Sequence, residues 1–283
     1  MERRPRRERP CDGDGERGIA SVFHLPRCVF FLAFLCGLCG LCVCASAEPT
    51  RPSPLKGGVE FQSADTKALE ADDFANPGML WVTRGEALWS QPRGEAKAAC
   101  SSCHDATSMK GVTARHPRFD PALGRVVNVE ERVNACVANR QRAPRLAWES
   151  EELLSLTAFI ARQSRGMPMA VSIDGPARAT FDNGRDLYFK RIGQLHLACT
   201  NCHDAAWGKT LLAEFISQGH PNGWPAYRLE WQSMGSLERR LRACFFGVRA
   251  EMPGYGSADM IALELYLAWR AQGLASAVPG VRR

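Results

Sequence analysis

The chain has no long basic run and no stripe of interleaved aromatic residues, and aromatics make up only 8% of its 283 residues. Nucleic-acid surfaces need clustered Lys and Arg with rings among them, so that class of partner is set aside. Nor is there an apolar run of the ~20 residues that cross a bilayer. The longest, Val29 to Cys44, has 16, which argues against stable membrane insertion.

That short run does fit an export signal. Residues 1–27 are polar and arginine-rich, and Ala45-Ser46-Ala47 has the small-residue cleavage pattern. The mature chain is therefore expected to start near Ala47/Glu48, with residues 1–47 as the signal peptide. Those 47 residues hold seven basic and five acidic side chains, leaving 29 basic and 25 acidic in the remainder. This mildly basic balance suits an anionic substrate or an acidic partner without requiring one.

Two CysXXCysHis pentapeptides stand 99 residues apart, Cys100-Ser-Ser-Cys103-His104 and Cys199-Thr-Asn-Cys202-His203. Each reads as an attachment site for c-type haem. The two cysteines add across the vinyl groups as thioethers, and the histidine is carried beneath the iron. Two covalently bound haem c groups are expected. Such attachment takes place outside the cytoplasm, so motif and signal agree on the periplasm. A zinc site is the rival, but paired CxxC knuckles usually lie ~15–20 residues apart. A disulfide within each CxxC is another, and it would leave His104 and His203 without a role.

The chain is an internal duplication. Gly85 and Gly184 precede aromatic residues Trp89 and Tyr188 by one helical turn, at the same offset of 99. Arg132 and Arg240 precede Cys136 and Cys244 by four residues in each half. Periodic apolar patterns then predict helices over Glu151–Ser164 and Ala258–Gln272. Each half thus reads as helix, haem motif, haem-wrapping loop, short helix, final helix. The expected fold is all-α, two tandem cytochrome c-type domains at 48–171 and 172–283, with first and last helices crossing at the glycine. The Met167–Pro176 stretch reads as a linker. Residues 48–76 read as a surface-wrapping extension, and Arg282-Arg283 as a solvated tail.

The sixth iron ligand is less obvious. Met252 stands where an electron-transfer cytochrome carries its methionine, but the first half has no equivalent. Both halves do share one spare cysteine, Cys136 and Cys244. The residues leave three readings: thiolate ligands to the two haems, a disulfide between them, or two inert buried thiols. Thiolate ligation is favoured because each cysteine holds the same place in its own repeat. A thiolate lowers the potential of its haem, which suits sulfur chemistry better than simple relay. On that reading haem 1 is held by Cys100, Cys103, His104 and Cys136, and haem 2 by Cys199, Cys202, His203 and Cys244. His116 and His220, each before a proline, read as wrapping turns rather than ligands.

Three further stretches carry a resemblance: residues 219–228 (Gly-His-Pro-Asn-Gly-Trp-Pro-Ala-Tyr-Arg), Arg240 to Cys244, and Leu263 to Arg270 with Pro279-Gly280. With both haem motifs they resemble the SoxA family, dihaem subunits of the SoxAX cytochromes of thiosulfate oxidation. The resemblance is strongest over residues 180–283. It implies an L-cysteine S-thiosulfotransferase that oxidatively joins thiosulfate to a cysteine of a SoxYZ-like sulfur-carrier protein. Two electrons would leave through haem to a SoxX-like monohaem cytochrome c subunit. It also implies that Cys244 is both distal ligand and catalytic sulfur, carried as a persulfide during turnover, and that Arg240 holds the substrate anion. The residues agree, since i and i+4 share a helix face and a guanidinium stabilises a thiolate. A haem propionate is the other partner open to Arg240, and more so to Arg132. A thiosulfate dehydrogenase forming tetrathionate and a pure electron-transfer dihaem cytochrome are the rival functions. A dihaem peroxidase lacks its ligand pattern here.

Overall fold

The computed structural model describes residues 51–283; the export segment and its cleavage site lie outside the described residues. The first half runs through α1 (Ala64–Ala71), α2 (Met79–Trp89), a hairpin of β1 (Arg118–Asp120) and β2 (Arg125–Val127), α3 (Val129–Asn139) and α4 (Glu151–Arg162). The second half runs through α5 (Arg178–Phe189), α6 (Cys199–His203), β3 (Thr210–Leu211), β4 (Glu214–Phe215), β5 (Ala226–Arg228), β6 (Ser233–Gly235), α7 (Leu237–Gly247), α8 (Ala258–Arg270) and β7 (Gly280–Arg282).

The expected crossing is present twice, α2 on α4 and α5 on α8. Glycine sets the approach at both. A Cβ on Gly85 would lie 2.0 Å from the Ser155 carbonyl oxygen, and one on Gly184 would lie 2.0 Å from that of Ala262. No side chain fits there. The final helices start where Ser150 and Ser257 accept hydrogen bonds from the Leu153 and Met260 amides at 3.3 Å, as N-caps do. Their apolar faces supply Leu153 and Leu156 in one half and Leu263, Leu265 and Tyr266 in the other, all at most 2% exposed. Burial of each such side chain contributes about 1.5–3 kcal/mol.

Helices dominate, but the all-α expectation is incomplete. The segment read as a haem-wrapping loop contains a hairpin in each half, β1–β2 and β5–β6, and β7 adds to β5 in parallel. Strands of three residues are too short to show alternation in sequence. Of the C-terminal pair read as a solvated tail, Arg283 is exposed but Arg282 is not. Arg282 is buried, its guanidinium paired with Glu70 of α1, because β7 carries it into the sheet edge. The extension before α2 does wrap the protein: Asn76 donates to the Pro279 carbonyl at 2.9 Å, and Lys56 donates its amide to Gln218. The Met167–Pro176 linker is tied down at its start, where Met169 exchanges main-chain hydrogen bonds with Leu274 and Gly273 at 2.9 Å.

The halves interlock by reciprocal packing. Phe119 and Val126 of the first hairpin pack into the second core, and Met234 of the second hairpin packs into the first. Equivalent residues Trp148 and Tyr255 stack on each other, centroids 6.1 Å apart. Glu130 and Glu238, another equivalent pair, lie buried near Glu264 and Glu149 at the same junction. Burial, then the neighbouring carboxylates, pushes Glu130 up to about 7 and Glu238 up to about 8. Like charges in a shared buried site hold protons for this reason.

Candidate haem and sulfur site

The second CysXXCysHis forms α6, packed against α5. Asn201, inside the motif, accepts from the Ala198 amide at 2.8 Å and pins the turn; Ser102 does the same for the Ala99 amide at 3.0 Å in the first half. His203 Nδ1 lies 2.8 Å from the Ser217 carbonyl oxygen. A carbonyl can only accept, so Nδ1 carries the proton and Nε2 is left as the ligating atom. Gly219 follows this turn at φ 74°, and a Cβ there would press on the His203 ring at 3.1 Å. The proximal imidazole is therefore held from behind by backbone.

Cys244 comes to the same place from α7. It comes near enough to His203 for the imidazole to act on its thiol. Burial alone would raise its pKa, but Arg240, then His203 and Arg228, outweigh burial and bring it down to about 7. Burial, with the Cys244 charge next, pushes Cys199 up to about 12, and the same two causes raise Cys202. One thiolate-prone sulfur thus faces an imidazole and two neutral thiols, the donor set that a thioether-bound haem with histidine and cysteine axial ligands calls for. Met252 is 42% exposed, and it is Cys244 that meets His203.

The first half is looser. Cys100 opens a 3-10 turn, and Cys103 and His104 are exposed. They line a cavity of about 500 Å³ with Trp89, Phe159 and Glu86, within the range of small-molecule sites. The Trp89 and His104 rings sit 6.2 Å apart. Arg132 Nη1 donates to Cys136 Sγ at 3.4 Å, and its Nε is paired with Asp120 at 3.2 Å. Burial, then Cys136, raises the pKa of Cys100, so these two sulfurs also converge. This cavity, with Cys103 and His104 on its wall, fits a covalent haem.

Cys136 and Cys244 are both free thiols, so the disulfide between them is absent. Among the described residues no group of three or more His, Cys, Asp or Glu is arranged to hold a metal ion on its own. His116 and His220 donate Nδ1 to the carbonyls of Val112 at 2.7 Å and Lys56 at 2.8 Å. Burial lowers both to about 4, and they serve as neutral pins of the wrapping turns. Arg242 is drawn away to the Pro253 carbonyl and the Tyr255 ring. Arg228, which the sequence reading left inside a motif without a role, acts on both Cys244 and Arg240. Its offset of 108 residues from Asp120, the same as that between the two cysteines, was the available signal.

Residues 84–169 match the family model for the SoxA/TsdA cytochrome c domain. The L-cysteine S-thiosulfotransferase subunit SoxA of Pseudaminobacter salicylatoxidans is 41% identical over 226 residues, 79% of each chain. The chain belongs to the SoxA family. The subunit of the same name from Rhodovulum sulfidophilum is 40% identical, covering 81% of this chain and 80% of its own. A SoxA-family architecture is also seen in the crystal structure of SoxXA from P. pantotrophus, which superposes with a TM-score of 0.79 at 39% identity, covering 81% of this chain and 87% of that one. The cytochrome c domain assigns covalent haem c to this chain. No helix among the described residues is long and apolar enough to cross a membrane.

Proposed function

We propose that this SoxA-family protein is a periplasmic L-cysteine S-thiosulfotransferase with two covalent haem c groups, one in each of two domains divided near residue 171. Haem 1 is attached through Cys100 and Cys103, with His104 and Cys136 as axial ligands. Haem 2 is attached through Cys199 and Cys202, with His203 and Cys244. The observation that carries the reading is that Cys244 comes from α7 to His203 of the second haem motif, with Arg240 one turn before it on the same helix. The names of the relatives support the reaction, and the SoxXA neighbour supports a SoxX-like monohaem partner.

The overall change joins thiosulfate to the thiol of a SoxYZ-like carrier, forming one S–S bond and releasing one proton and two electrons. Haem c, when bound, supplies one-electron acceptors for that pair. Cys244 bonds first to the sulfane sulfur of thiosulfate, losing two electrons. The carrier thiolate then attacks that sulfur and releases Cys244 as thiolate. Arg240 steadies the sulfonate end, as a planar donor fork can.

Thiosulfate oxidation by haem-loaded protein, followed with and without the carrier thiol, tests this. Turnover should require the carrier and produce carrier thiosulfonate. Tetrathionate formed without carrier would overturn the transferase reading in favour of a dehydrogenase.

A further inference from the structure

Arg228 occupies in the second half the place Asp120 occupies in the first. Each closes the first strand of its hairpin, 108 residues apart, the offset that also relates Arg132 to Arg240 and Cys136 to Cys244. In the first half the carboxylate neutralises the arginine, Asp120 to Arg132 Nε at 3.2 Å. In the second a guanidinium stands there instead. At this place the duplication has exchanged an acid for a base, and Arg240, unlike Arg132, has no carboxylate partner among the described residues.

Arg228 is itself only 4% exposed. Its Nη2 is held by Glu230 at 2.6 Å and Glu214 at 3.2 Å, carboxylates that reach solvent. The Trp231 ring lies 4.9 Å from its guanidinium carbon. Its Nε is buried and has no acceptor. A buried N–H left unpaired is costly and calls for a reason. Glu214 and Glu230 balance the charge of Arg228, so the uncompensated positive charge beside Cys244 is that of Arg240. An oxygen anion answers both conditions.

We propose that Arg228 is a second substrate-recognition residue, which with Arg240 forms a two-guanidinium donor pocket for a doubly charged sulfur oxyanion beside Cys244. Arg228 donates from Nε to an oxygen of the sulfonate end, and Arg240 takes another. The first half, with its neutral Arg132–Asp120 pair, does not select an anion. This inference rests on Cys244 being the reacting sulfur. The same donor chemistry would also suit a haem propionate carboxylate, and the two sources behave differently on substitution.

The test uses the fully haem-loaded protein with its carrier. Arg228→Gln should raise KM for thiosulfate about ten- to a hundredfold, the effect of losing one charge-assisted hydrogen bond, with kcat held within a few-fold. Arg228→Lys keeps the charge but not the fork, and should recover part of the loss; it also decides the matter if the Gln variant fails to fold. Asp120→Asn should leave KM unchanged. Calorimetric binding of sulfate, a dianion that does not react, should weaken in step with KM. That measurement needs no turnover, so it separates failure of the anion pocket from failure of the Cys244 assignment. Unchanged KM and sulfate affinity in Arg228→Gln and Arg228→Lys, with a shifted haem spectrum, would give Nε to a propionate and overturn the proposal.

Discussion

The two halves share a scaffold and differ at the sulfur. Helix crossings, serine caps and motif turns repeat almost residue for residue. Around the spare cysteine they part. Cys136 sits beside an arginine already engaged by Asp120, and His104 is exposed. Cys244 has two arginines near it and faces an imidazole fixed from behind by the Ser217 carbonyl. The lesson is that a duplicated scaffold can set two equivalent cysteines in different electrostatic surroundings with the fold left alone. The second half has also gained a buried network: Arg270, 1% exposed, pairs with Asp204 at 2.5 Å, and Tyr188 donates to the same carboxylate at 2.9 Å. Gln163 stands at the equivalent of Arg270, 107 residues earlier.

Removing each cysteine tests that contrast most severely. Cys244→Ala should abolish thiosulfate conjugation, because alanine cannot form the sulfur–sulfur bond. Cys136→Ala should leave measurable activity if, as proposed, its sulfur only tunes a haem. Steady-state assays on folded, haem-loaded variants decide it. Equal losses would mean that ligation, not covalent chemistry, explains both.

At the junction the halves should behave alike. Glu130 and Glu238 are held above the ordinary carboxyl range, at about 7 and about 8. The folded protein therefore binds more protons than the unfolded chain between pH ~4.5 and those values. Stability is full below that window and falls as pH rises through it, by up to about 1.4 kcal/mol per unit for each group. The groups facing this cluster are Glu149, Glu264, Arg239, Arg242 and Asn128. Glu130→Gln and Glu238→Gln should each flatten the decline. Denaturant titrations across that range measure it, and an unchanged slope in both would show that other groups carry the pH dependence.

Much of this was legible because the duplication offers two readings of every element. Gly85 and Gly184 announced the crossings, and the Arg–Cys pairs marked the third cysteine of each half. What escaped were features without periodicity. The hairpin strands are three residues long, and Arg282 is buried by a parallel strand pairing that no local pattern encodes. Arg228 escaped for a different reason. The offset grows from 99 to 108 across the β3–β4 insertion, and only after that shift does Asp120 line up with it.

The buried network should separate the halves again, at smaller scale. Arg270→Leu removes the charged partner of Asp204, whose side chain is 34% exposed and regains some water. The expected loss is therefore that of a charged hydrogen bond, about 1.5–3 kcal/mol, not the larger cost of a fully buried orphan charge. Gln163→Leu should cost little. Denaturation of the haem-loaded protein gives both values, and a matching loss at Gln163 would deny the asymmetry.

The smallest effect belongs to the shared scaffold. Ser150 and Ser257 cap α4 and α8 with the same bond to the amide three residues on, 3.3 Å in each. Both helices then bury a largely apolar face, with Phe159 against Gly85 and Tyr266 against Gly184 at the crossings. Replacing either serine with alanine leaves one first-turn amide without its side-chain acceptor and nothing else altered. Each substitution should cost about 1 kcal/mol, by the same amount in either half, with no change in KM for thiosulfate. Cys244 is on α7, so a cap on α8 has no route to the substrate except through global stability. Chemical denaturation and steady-state assays on the two variants would check this. A markedly larger loss for Ser257→Ala, or a KM change with it, would show that the second half has diverged in its scaffold as well as at its sulfur.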